Sequence, residues 1–382
     1  MNPRRRGSSC VLPGVRANPT QQQFMQLPPA PSEVLMKSIR YTLLLATLVL
    51  APVTGLGSAA FAADAAESAD PLTCTAEKPC LLRVRTVAPL KSPWGTLLNL
   101  LKKAVVKESK GRLKVKVHFG SKSEGSAVRQ CLRGRIGGIG VSNGALSSAV
   151  PEFSATEMPF LFKNYKEADK AFSASEPLIR EILKKRGFLY AVRGENGFRH
   201  FASKAGFLMT PADIAGKVMR SQPAKHHLAM YKALGATPKS ITVAEVPTSL
   251  ANGAVSGYDN TLLFADLAGW ADEIKFVTKS AHIYQGAMVA WCKGWTDRLP
   301  DDLQAILAKP RPKLEKLGVK LVRVFNDTKA PKRYVEKGIE IKSLSGAQRA
   351  AFKAKTSSVE AQFVGDTNAD GKKLLEMLQG NR

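Results

Sequence analysis

The sequence predicts an α/β fold with a largely parallel sheet, and three observations support this. Strand-like and helix-like segments alternate over residues 82–142 in the order strand, helix, strand, helix, strand, which is typical of parallel sheets with helical crossovers. The 382 residues are enough for two domains of ordinary size. Hydrophobic residues make up 44% of the chain, which is enough to bury a core and excludes disorder throughout. In such a sheet, a ligand crevice lies outside the carboxyl ends of the strands.

The first five elements follow from residue periodicity. A short strand is predicted at 82–87, and the next helix is expected to end at Gly111. The stretch 113–119 (LKVKVHF) alternates apolar with basic residues, which predicts a half-exposed strand. A helix over 126–133 leads into IGGIGVS, a short apolar run with glycines. The apolar residues that define the first helix are Trp94, Leu97, Leu98, Leu101 and Val105.

The second half repeats this alternation less regularly. Thr210 is a predicted N-cap for a helical turn at 211–216. Pro310 and Pro312 are expected to interrupt a helix that starts at Pro300. The other predicted elements are strand-like pieces at 191–201 and 217–220, helices at 225–234 and 245–252 that end before glycines, and polar helices over 346–378.

The N-terminal region has the layout of a secretory signal peptide that starts at Met36. Lys37 and Arg40 provide a basic start, an apolar run follows over 41–53, and small residues lead to a predicted cleavage site near Ala62. The run is shorter than the roughly 20 apolar residues of a membrane span. This favours a cleaved peptide over the alternative of an uncleaved anchor, and it predicts a protein exported to the periplasm.

The net charge of +26, from 57 Lys and Arg against 31 Asp and Glu, first suggests a nucleic-acid or membrane-surface partner. We interpret residues 1–35 as a start assigned too far upstream, so that residues 1–62 are leader and signal peptide and residues 63–81 a flexible linker. Removal of the leader lowers the charge to +21. An exported protein meets no genome, so no nucleic-acid partner is predicted, and the remaining charge bears on solubility and anionic partners.

Five cysteines are present, and Cys10 is lost with the leader. Cys74 and Cys80 flank a short loop that contains a proline, and the sequence leaves open whether they form a disulfide. Cys131 and Cys292 lie in apolar contexts and are predicted to be buried free thiols. The single C-x5-C spacing has no companion pair, which argues against a zinc site.

The common enzyme motifs are absent. The sequence contains no GxSxG, HExxH or P-loop, and the glycines of GRIGGIG at 134–140 lack the spacing of a dinucleotide loop. Five histidines are scattered, and the adjacent pair His226 and His227 is interpreted as part of a helix surface. The sequence therefore predicts no catalytic residue, no metal site, no cofactor and no enzymatic activity.

Two arginines in apolar or glycine-rich surroundings are the stronger candidates for a binding site. Arg199 lies in NGFRHF, and Arg220 ends the short apolar strand VMR. A guanidinium in such surroundings suits bidentate capture of a carboxylate. The alternative for each arginine is a salt bridge with an acidic residue of the protein itself.

Six fragments, in order, make the chain from about Leu82 to its end resemble the solute-binding receptors of tripartite ATP-independent periplasmic (TRAP) transporters, of the dicarboxylate-receptor type. The fragments are KGRLKVKVHF, VPEFSATEMPFLFKNYKEADKAF, NGFRHFAS, TPADIAGKVMRSQPAKHHLAMYKALGATP, AEVPTSLANGAVSGYDNTLLF and WTDRLPDDLQAIL.

This resemblance implies a two-domain α/β solute-binding protein of the Venus-flytrap type, with crossing segments and a long linking helix that prolines interrupt here. Domain I is then expected at 82–197 plus 286–322, and domain II at 198–285 plus 323–382.

The resemblance also implies roles for particular residues. Arg220 matches the arginine that forms a two-pronged salt bridge with the ligand carboxylate, and Asn260 matches the asparagine that braces the same group. Arg199 matches a second arginine near the ligand, Glu124 an acidic position after the second strand, and Val243 a side chain that packs on the ligand. Ser142 and Asn143 are expected to line the cleft on the first domain.

The chain departs from the usual family pattern at Gly138 and Ser256, where an aspartate is common, and at Pro247, where a tyrosine is common. These departures bear on the ligand and on closure more than on the fold.

The function implied by the resemblance is capture of a small organic acid and its delivery to the small and large membrane subunits of a TRAP permease. The alternatives are a periplasmic binder of an apolar or lipid-like acid and a ligand-sensing module. The polar C-terminal helices leave a homodimer open.

Overall fold

A computed structural model of the protein describes residues 70–382, so the predicted leader and signal peptide lie outside the described residues. The strands are β1 (Cys80–Thr86), β2 (Leu113–His118), β3 (Gly138–Ser142), β4 (Phe188–Ser203), β5 (Val218–Ser221), β6 (Thr237–Ser240), β7 (Gly257–Asn260), β8 (Phe276–Cys292) and β9 (Glu340–Ser343). The helices are α1 (Pro93–Glu108), α2 (Glu124–Leu132), α3 (Asn143–Leu146), α4 (Tyr165–Lys185), α5 (Pro211–Ile214), α6 (Lys225–Ala233), α7 (Val246–Ala251), α8 (Leu262–Leu267), α9 (Lys293–Thr296), α10 (Asp301–Ala308), α11 (Pro312–Val324), α12 (Ala330–Glu336), α13 (Gly346–Lys355), α14 (Ser357–Asp366) and α15 (Ala369–Gly380).

The elements β1, α1, β2, α2 and β3 follow in the predicted order. In β2, Leu113 and Val115 are buried while the lysines between and after them are exposed, as the alternating pattern predicts. Helix α1 begins after Ser92, whose Oγ accepts a hydrogen bond from the amide of Gly95 at 3.0 Å, and Pro93 takes the first helical position.

The nine strands form one mixed sheet in the order β2-β1-β3-β8-β4-β7-β5-β6, with β9 on β8. The outer strands are parallel, but β8 is antiparallel to β3 and β4, and β4 is antiparallel to β7. The prediction of a largely parallel sheet is therefore wrong at its centre. The reason is that β4 and β8, with 16 and 17 residues, run through the whole molecule as an antiparallel pair.

These two long strands divide the molecule into two lobes. The first lobe contains β1 to β3 with α1 to α4, and the second lobe contains β5 to β7 with α6 to α8; β4 and β8 contribute one half to each. In the first lobe, Gly138 takes the place of the more usual aspartate. A Cβ there would lie 2.7 Å from the ring of Trp291, so the packing of this indole on β3 requires the glycine.

The segment with Pro310 and Pro312 interrupts the helical stretch that begins near Pro300, as predicted, and a long helix starts at Pro312. Helix α10 ends at Ala308, and Pro312 occupies the first turn of α11. From there the chain stays helical to Glu336 through a π-helical turn at Phe325–Lys329. This turn ends two residues before Pro331, which has no N–H to donate to the preceding turn.

The last part of the predicted linker is packed against the body. The amide of Leu72 donates to the carbonyl oxygen of Arg298 at 2.7 Å, and Cys74 is 4% exposed. A disulfide joins Cys74 to Cys80, which confirms that alternative. The flexible-linker prediction for 63–81 is therefore wrong from Leu72 onward, because the hydrogen bond of Leu72, the buried Cys74 and its disulfide fix the segment.

The prediction of free thiols at Cys131 and Cys292 is wrong. The two cysteines form a second disulfide, which connects α2 to the end of β8 across a sequence separation of 161. Both residues are fully buried, as predicted. An apolar context is equally suited to a buried thiol and to a buried disulfide, so it could not separate the two states.

The C-terminal helix packs differently from its predicted domain. Helix α15 lies against α4 of the first lobe, where Lys185 Nζ contacts Asp370 Oδ2 at 2.9 Å. At its N-cap, Asn368 Nδ2 donates to Glu152 Oε1 at 2.7 Å. The other boundaries of the two domain ranges stay a prediction.

The interpretation of His226 and His227 as a helix surface is also wrong. Both lie in the first turn of α6 and are 3% and 0% exposed, because this end of α6 faces the first lobe. Across residues 70–382, none of the helices combines the length and the apolar character needed to cross a membrane.

Candidate functional site

A cavity of about 390 Å³ lies between the two lobes. Its walls include residues at the carboxyl ends of four strands, Thr86 of β1, Ser142 of β3, Arg220 of β5 and Asn260 of β7. This is the place that the α/β pattern predicts for a ligand crevice. The volume falls within the range of small-molecule sites.

Arg220, the penultimate residue of β5, is held from two sides. Its Nε and Nη2 donate to the carbonyl oxygen of Ile241 at 3.2 and 3.0 Å. The guanidinium carbon lies 4.7 Å from the centroid of the Trp270 ring, a cation–π distance. These contacts orient the guanidinium and leave Nη1 without an acceptor among the described residues.

The charge of Arg220 is buried without a carboxylate partner. The side chain is 2% exposed, and no acidic side chain of residues 70–382 forms an ion pair with it. Burial, together with the positive charge of Arg199, lowers the pKa of Arg220 to about 10, so the group stays protonated at neutral pH. A desolvated cation in a cavity wall is a strong attractor for an anionic ligand.

Asn260 is the last residue of β7 and lines the same cavity as Arg220. Its Oδ1 accepts hydrogen bonds from the amide of Thr261 at 2.8 Å and from Arg199 Nη1 at 3.5 Å. Because both neighbours are donors, they fix which end of the amide is oxygen. The Nδ2 group is left as a donor without a protein acceptor in the described part of the chain.

Arg199 lines the same cavity, but a carboxylate of the protein already neutralises its charge. Its Nε donates to Asp259 Oδ2 at 2.6 Å, and its Nη2 donates to the carbonyl oxygen of Asp259 at 2.5 Å. Both side chains are buried. The alternative of an internal salt bridge therefore applies to Arg199 and not to Arg220.

Asp259 is the centre of a buried polar network behind the cavity wall. Its Oδ1 accepts from the Tyr231 hydroxyl at 2.9 Å, and its Oδ2 lies 3.3 Å from His282 Nε2. Burial opposes ionisation, but Arg199 and His282 outweigh it and lower the pKa of Asp259 well below its ordinary value. The network fixes Arg199, which in turn contacts Asn260.

On the first lobe, Glu124 and Ser142 line the opposite wall. The Ser142 amide and Oγ donate to the two carboxylate oxygens of Glu124 at 2.7 and 3.0 Å. Burial raises the pKa of Glu124, although its hydrogen bonds with Ser142 act against this. Ser142 Oγ also accepts from Gln222 Nε2 of the second lobe at 3.0 Å, so this pair of side chains connects the lobes across the cavity.

The structure brings six of the seven predicted residues to the cavity and leaves one outside its lining. Asn143 is buried, and its Nδ2 donates to Thr156 Oγ1 at 3.1 Å behind the wall. Its placement in the cleft is wrong because β3 ends one residue earlier and Asn143 opens α3. Val243 lines the cavity beside an apolar group formed by Leu263, Phe264, Leu267 and Trp270.

Among the wall residues that were not found from the sequence are Gln222, Gln285 and Trp270. Gln285 Nε2 donates to Gln222 Oε1 at 2.8 Å, and Trp270 covers Arg220. Of these, only Gln222 could have been suspected as a site residue, because it lies two residues after Arg220. Trp270 lies in a 3-10 helix and Gln285 in β8, and both are distant from Arg220 in sequence.

Two lobes that share a sheet, with a ligand-sized cavity between them and an unpaired buried cation in its wall, define a solute-binding receptor. Residues 84–366 match DctP, the bacterial extracellular solute-binding protein family 7, and the chain belongs to this family. The resemblance to TRAP receptors is thereby confirmed. The role of the family is binding of a solute outside the cytoplasm, which is not an enzymatic role.

Individual relatives agree with this assignment. A solute-binding protein of Verminephrobacter eiseniae is 28% identical over 314 residues, covering 80% of this chain and 90% of the relative. A TRAP periplasmic solute binding protein from Sulfurospirillum deleyianum, solved with bound succinate, has a TM-score of 0.72 at 22% identity and covers 79% of this chain and 99% of its own. A TRAP periplasmic solute binding protein from Roseobacter denitrificans, with bound β-D-glucuronate, has a TM-score of 0.75 at 18% identity. The match covers 79% of this chain and 100% of the Roseobacter chain. At these identities the solved structures support the fold.

Proposed function

We propose that this protein is a periplasmic receptor that captures a small organic acid by its carboxylate at Arg220 and Asn260 and delivers it to a TRAP permease. The observation that carries the proposal is the buried guanidinium of Arg220, which has no carboxylate partner among residues 70–382. The ligand supplies the missing counter-charge. No reaction chemistry is required of the site.

The expected geometry follows from the donors that the protein leaves free. Arg220 and Asn260 both line the cavity. We expect Nη1 of Arg220 and Nδ2 of Asn260 each to donate to an oxygen of one carboxylate. Hydrogen bonds to charged groups contribute about 1.5–3 kcal/mol each, and micromolar affinity requires about 8 kcal/mol in total. These two residues would supply a substantial part of that affinity, and burial of the remaining ligand surface would supply the rest.

The rest of the cavity favours a short acid with polar groups on one side. Glu124, Ser142 and Gln222 offer hydrogen-bonding partners from the first lobe and the lobe junction. Solved relatives hold succinate and β-D-glucuronate, which combine a carboxylate with further polar groups. A hydroxylated or dicarboxylic acid is the first class to test.

A second candidate, an apolar acid, is favoured by one observation. Val243, Leu263, Phe264, Leu267 and Trp270 are apolar residues that line the same cavity. A branched or aromatic acid would bury its side chain there while Arg220 holds its carboxylate. The two candidates share the anchor and differ in the remainder of the ligand.

A thermal-shift panel that pairs each acid with a neutral analogue tests the anchor directly. We expect stabilisation by the preferred acid and none by its uncharged counterpart, for example glucuronate against glucose or succinate against 1,4-butanediol. At 100 times its dissociation constant, the acid should raise the free energy of unfolding by about 2.7 kcal/mol. Equal shifts for an acid and its neutral analogue would overturn the proposed anchor. Including 4-methyl-2-oxopentanoate and phenylacetate decides between the polar and the apolar class.

Export and delivery are tested on the protein recovered from the periplasm without refolding. Its intact mass is expected to correspond to a chain that starts after Ala62, and native mass spectrometry reports a co-purified acid and whether the protein is a monomer or a homodimer. Uptake of the acid into vesicles that contain the small and large permease subunits should depend on the receptor. Uptake at the same rate without the receptor would contradict the delivery role.

A further inference from the structure

Glu157, His226 and His227 form a compact buried cluster at the junction of the lobes, outside the ligand cavity. Glu157 ends the 3-10 helix Pro151–Glu157 of the first lobe, and the two histidines lie in the first turn of α6 in the second lobe. Their exposed fractions are 0%, 3% and 0%. The ligand-binding site does not require any of these three side chains.

The nitrogen atoms of this cluster are poorly satisfied by the protein. His227 Nε2 contacts Glu157 Oε2 at 2.8 Å, but His227 Nδ1 and both ring nitrogens of His226 are buried without a hydrogen-bond partner. A buried polar group without a partner costs about 1–3 kcal/mol. Three such atoms next to a carboxylate require a physical explanation.

The spacing of the potential ligand atoms matches a metal coordination sphere. One atom from each of the three side chains lies within 4.8 Å of the others. Glu157 Oε2 is 2.8 Å from His227 Nε2 and 3.6 Å from His226 Nε2. Ligands about 2.0–2.2 Å from a tetrahedral ion are separated by roughly 3.4 Å, and the two observed distances lie on either side of this value.

The surroundings of the cluster orient its ligands. Glu157 Oε1 accepts a hydrogen bond from the amide of Gly144 at 2.8 Å, which leaves Oε2 for the histidine side. A Cβ at Gly144 would lie 2.6 Å from Glu157 Oε2, so only glycine leaves room for this carboxylate. Without a metal, His227 Nε2 donates its proton to Glu157 Oε2 at 2.8 Å, so an ion bound at Nε2 would displace that proton.

We propose that Glu157, His226 and His227 bind one divalent transition-metal ion at the junction of the two lobes. Two imidazole nitrogens and one carboxylate oxygen are the donor set of three-ligand zinc sites, with a fourth position left for water. Arg199 already balances the charge of Asp259, so Asp259 is not available to the ion. Glu157 is the carboxylate that would balance part of the charge of the ion.

The ion would reach the site from the protein surface. A recess of about 80 Å³ next to the cluster is lined by His226, Ser154 and Asp366, among other residues. Because the ligands come from both lobes, the bound ion would fasten the 3-10 helix of the first lobe to α6 of the second. It would act beside the ligand cavity and not within it.

Zinc titration of untagged protein purified from the periplasm tests the site. After treatment with EDTA and its removal, calorimetric titration with ZnCl₂ should give one equivalent bound with a dissociation constant of 10 μM or lower. His226→Gln should weaken binding at least 30-fold. The matched control His118→Gln, which changes a histidine of β2 far from the cluster in sequence, should leave the affinity unchanged.

Two outcomes would overturn the site. One is failure of the wild-type protein to bind Zn²⁺ at 1 mM, and the other is equal zinc affinity in wild type and His226→Gln. If the variant does not fold, zinc-edge anomalous diffraction from wild-type crystals decides. A peak within coordination distance of the three side chains supports the site, and a peak elsewhere or none overturns it.

Discussion

Replacing Arg220 with methionine should separate ligand binding from folding. Methionine keeps an unbranched stem against Trp270 but removes the charge and the donors. In the folded protein without ligand, the guanidinium is a desolvated charge with no carboxylate partner in the described chain, so its removal relieves a cost. It also leaves the carbonyl oxygen of Ile241 without its two hydrogen bonds. These effects oppose each other, and we expect the free energy of unfolding to change by less than about 1 kcal/mol.

The effect of the same substitution on binding should be large. The ligand carboxylate would enter the site without its ion pair, which costs about 3–5 kcal/mol. At about 1.4 kcal/mol per factor of ten, the dissociation constant should rise between roughly 100-fold and several thousand-fold. Calorimetric titration with the acid identified by thermal shift measures this change, and urea unfolding without ligand measures stability.

Lys239→Met is the matched control for this experiment. Lys239 lies beside Arg220 in the neighbouring strand and carries the same charge, but it is exposed and does not line the cavity. Its replacement should change the dissociation constant by less than about 3-fold, because a screened surface charge contributes little. If Arg220→Met binds the acid within 5-fold of wild type, Arg220 is not the anchor. A large loss of stability without ligand would refute the argument that its charge is uncompensated.

Arg199→Met should lower the free energy of unfolding by about 3–5 kcal/mol, since it leaves a buried carboxylate unpaired; a loss below 1 kcal/mol in urea unfolding would show that the pair is not structural. Burial lowers the pKa of His200 from 6.5 to about 3, so the unfolded chain takes up a proton that the folded protein rejects. The neutral His200 therefore keeps its full stability above pH 6.5, and the free energy of unfolding falls by roughly 3 kcal/mol on its account as the pH is lowered to 4. In His200→Gln, the loss of stability between these pH values, measured by urea unfolding, should be smaller by this amount. Replacing Cys131 and Cys292 together with alanine should cost about 3–5 kcal/mol because the bond closes a very long loop; detection of free thiols in the denatured periplasmic protein would contradict this pairing.

Residue periodicity was sufficient to predict the first five elements and their order. The alternation in β2 and the heptad-like spacing in α1 are local, so each is visible within a few residues. The antiparallel centre of the sheet was not visible in this way. It depends on the pairing of β4 with β8, which are more than 70 residues apart and contain too many buried positions to show a period.

The choice of site residues stays a prediction, and it rested on residue type together with position in the sequence. Arg220 and Asn260 were proposed from the resemblance, and the structure places both at strand ends on the cavity wall. The sequence could not show which of Arg199 and Arg220 is free to bind a ligand carboxylate. The two differ because Asp259 of the protein pairs with Arg199. That partner comes from another strand, 60 residues after Arg199.

The histidine pair illustrates a limit of another kind. His226 and His227 are adjacent, so at least one of them is expected to face solvent on an ordinary surface helix. Both are buried because the first turn of α6 abuts the other lobe, where Glu157 lies. A contact 70 residues away in sequence has no trace in the local pattern.

The bond between Cys131 and Cys292 has a consequence for the receptor once it is outside the cytoplasm. It encloses residues 132–291, with Arg220 and Asn260 among them, in one covalent loop. A protease that cuts an exposed turn of the second lobe would therefore leave two pieces that remain joined until a reductant reaches the bond. If the chain is exported from its N-terminus, as the predicted signal peptide implies, α2 crosses the membrane before β8. Cys131 can then form its disulfide only after the residues up to Cys292, 161 positions later, have crossed.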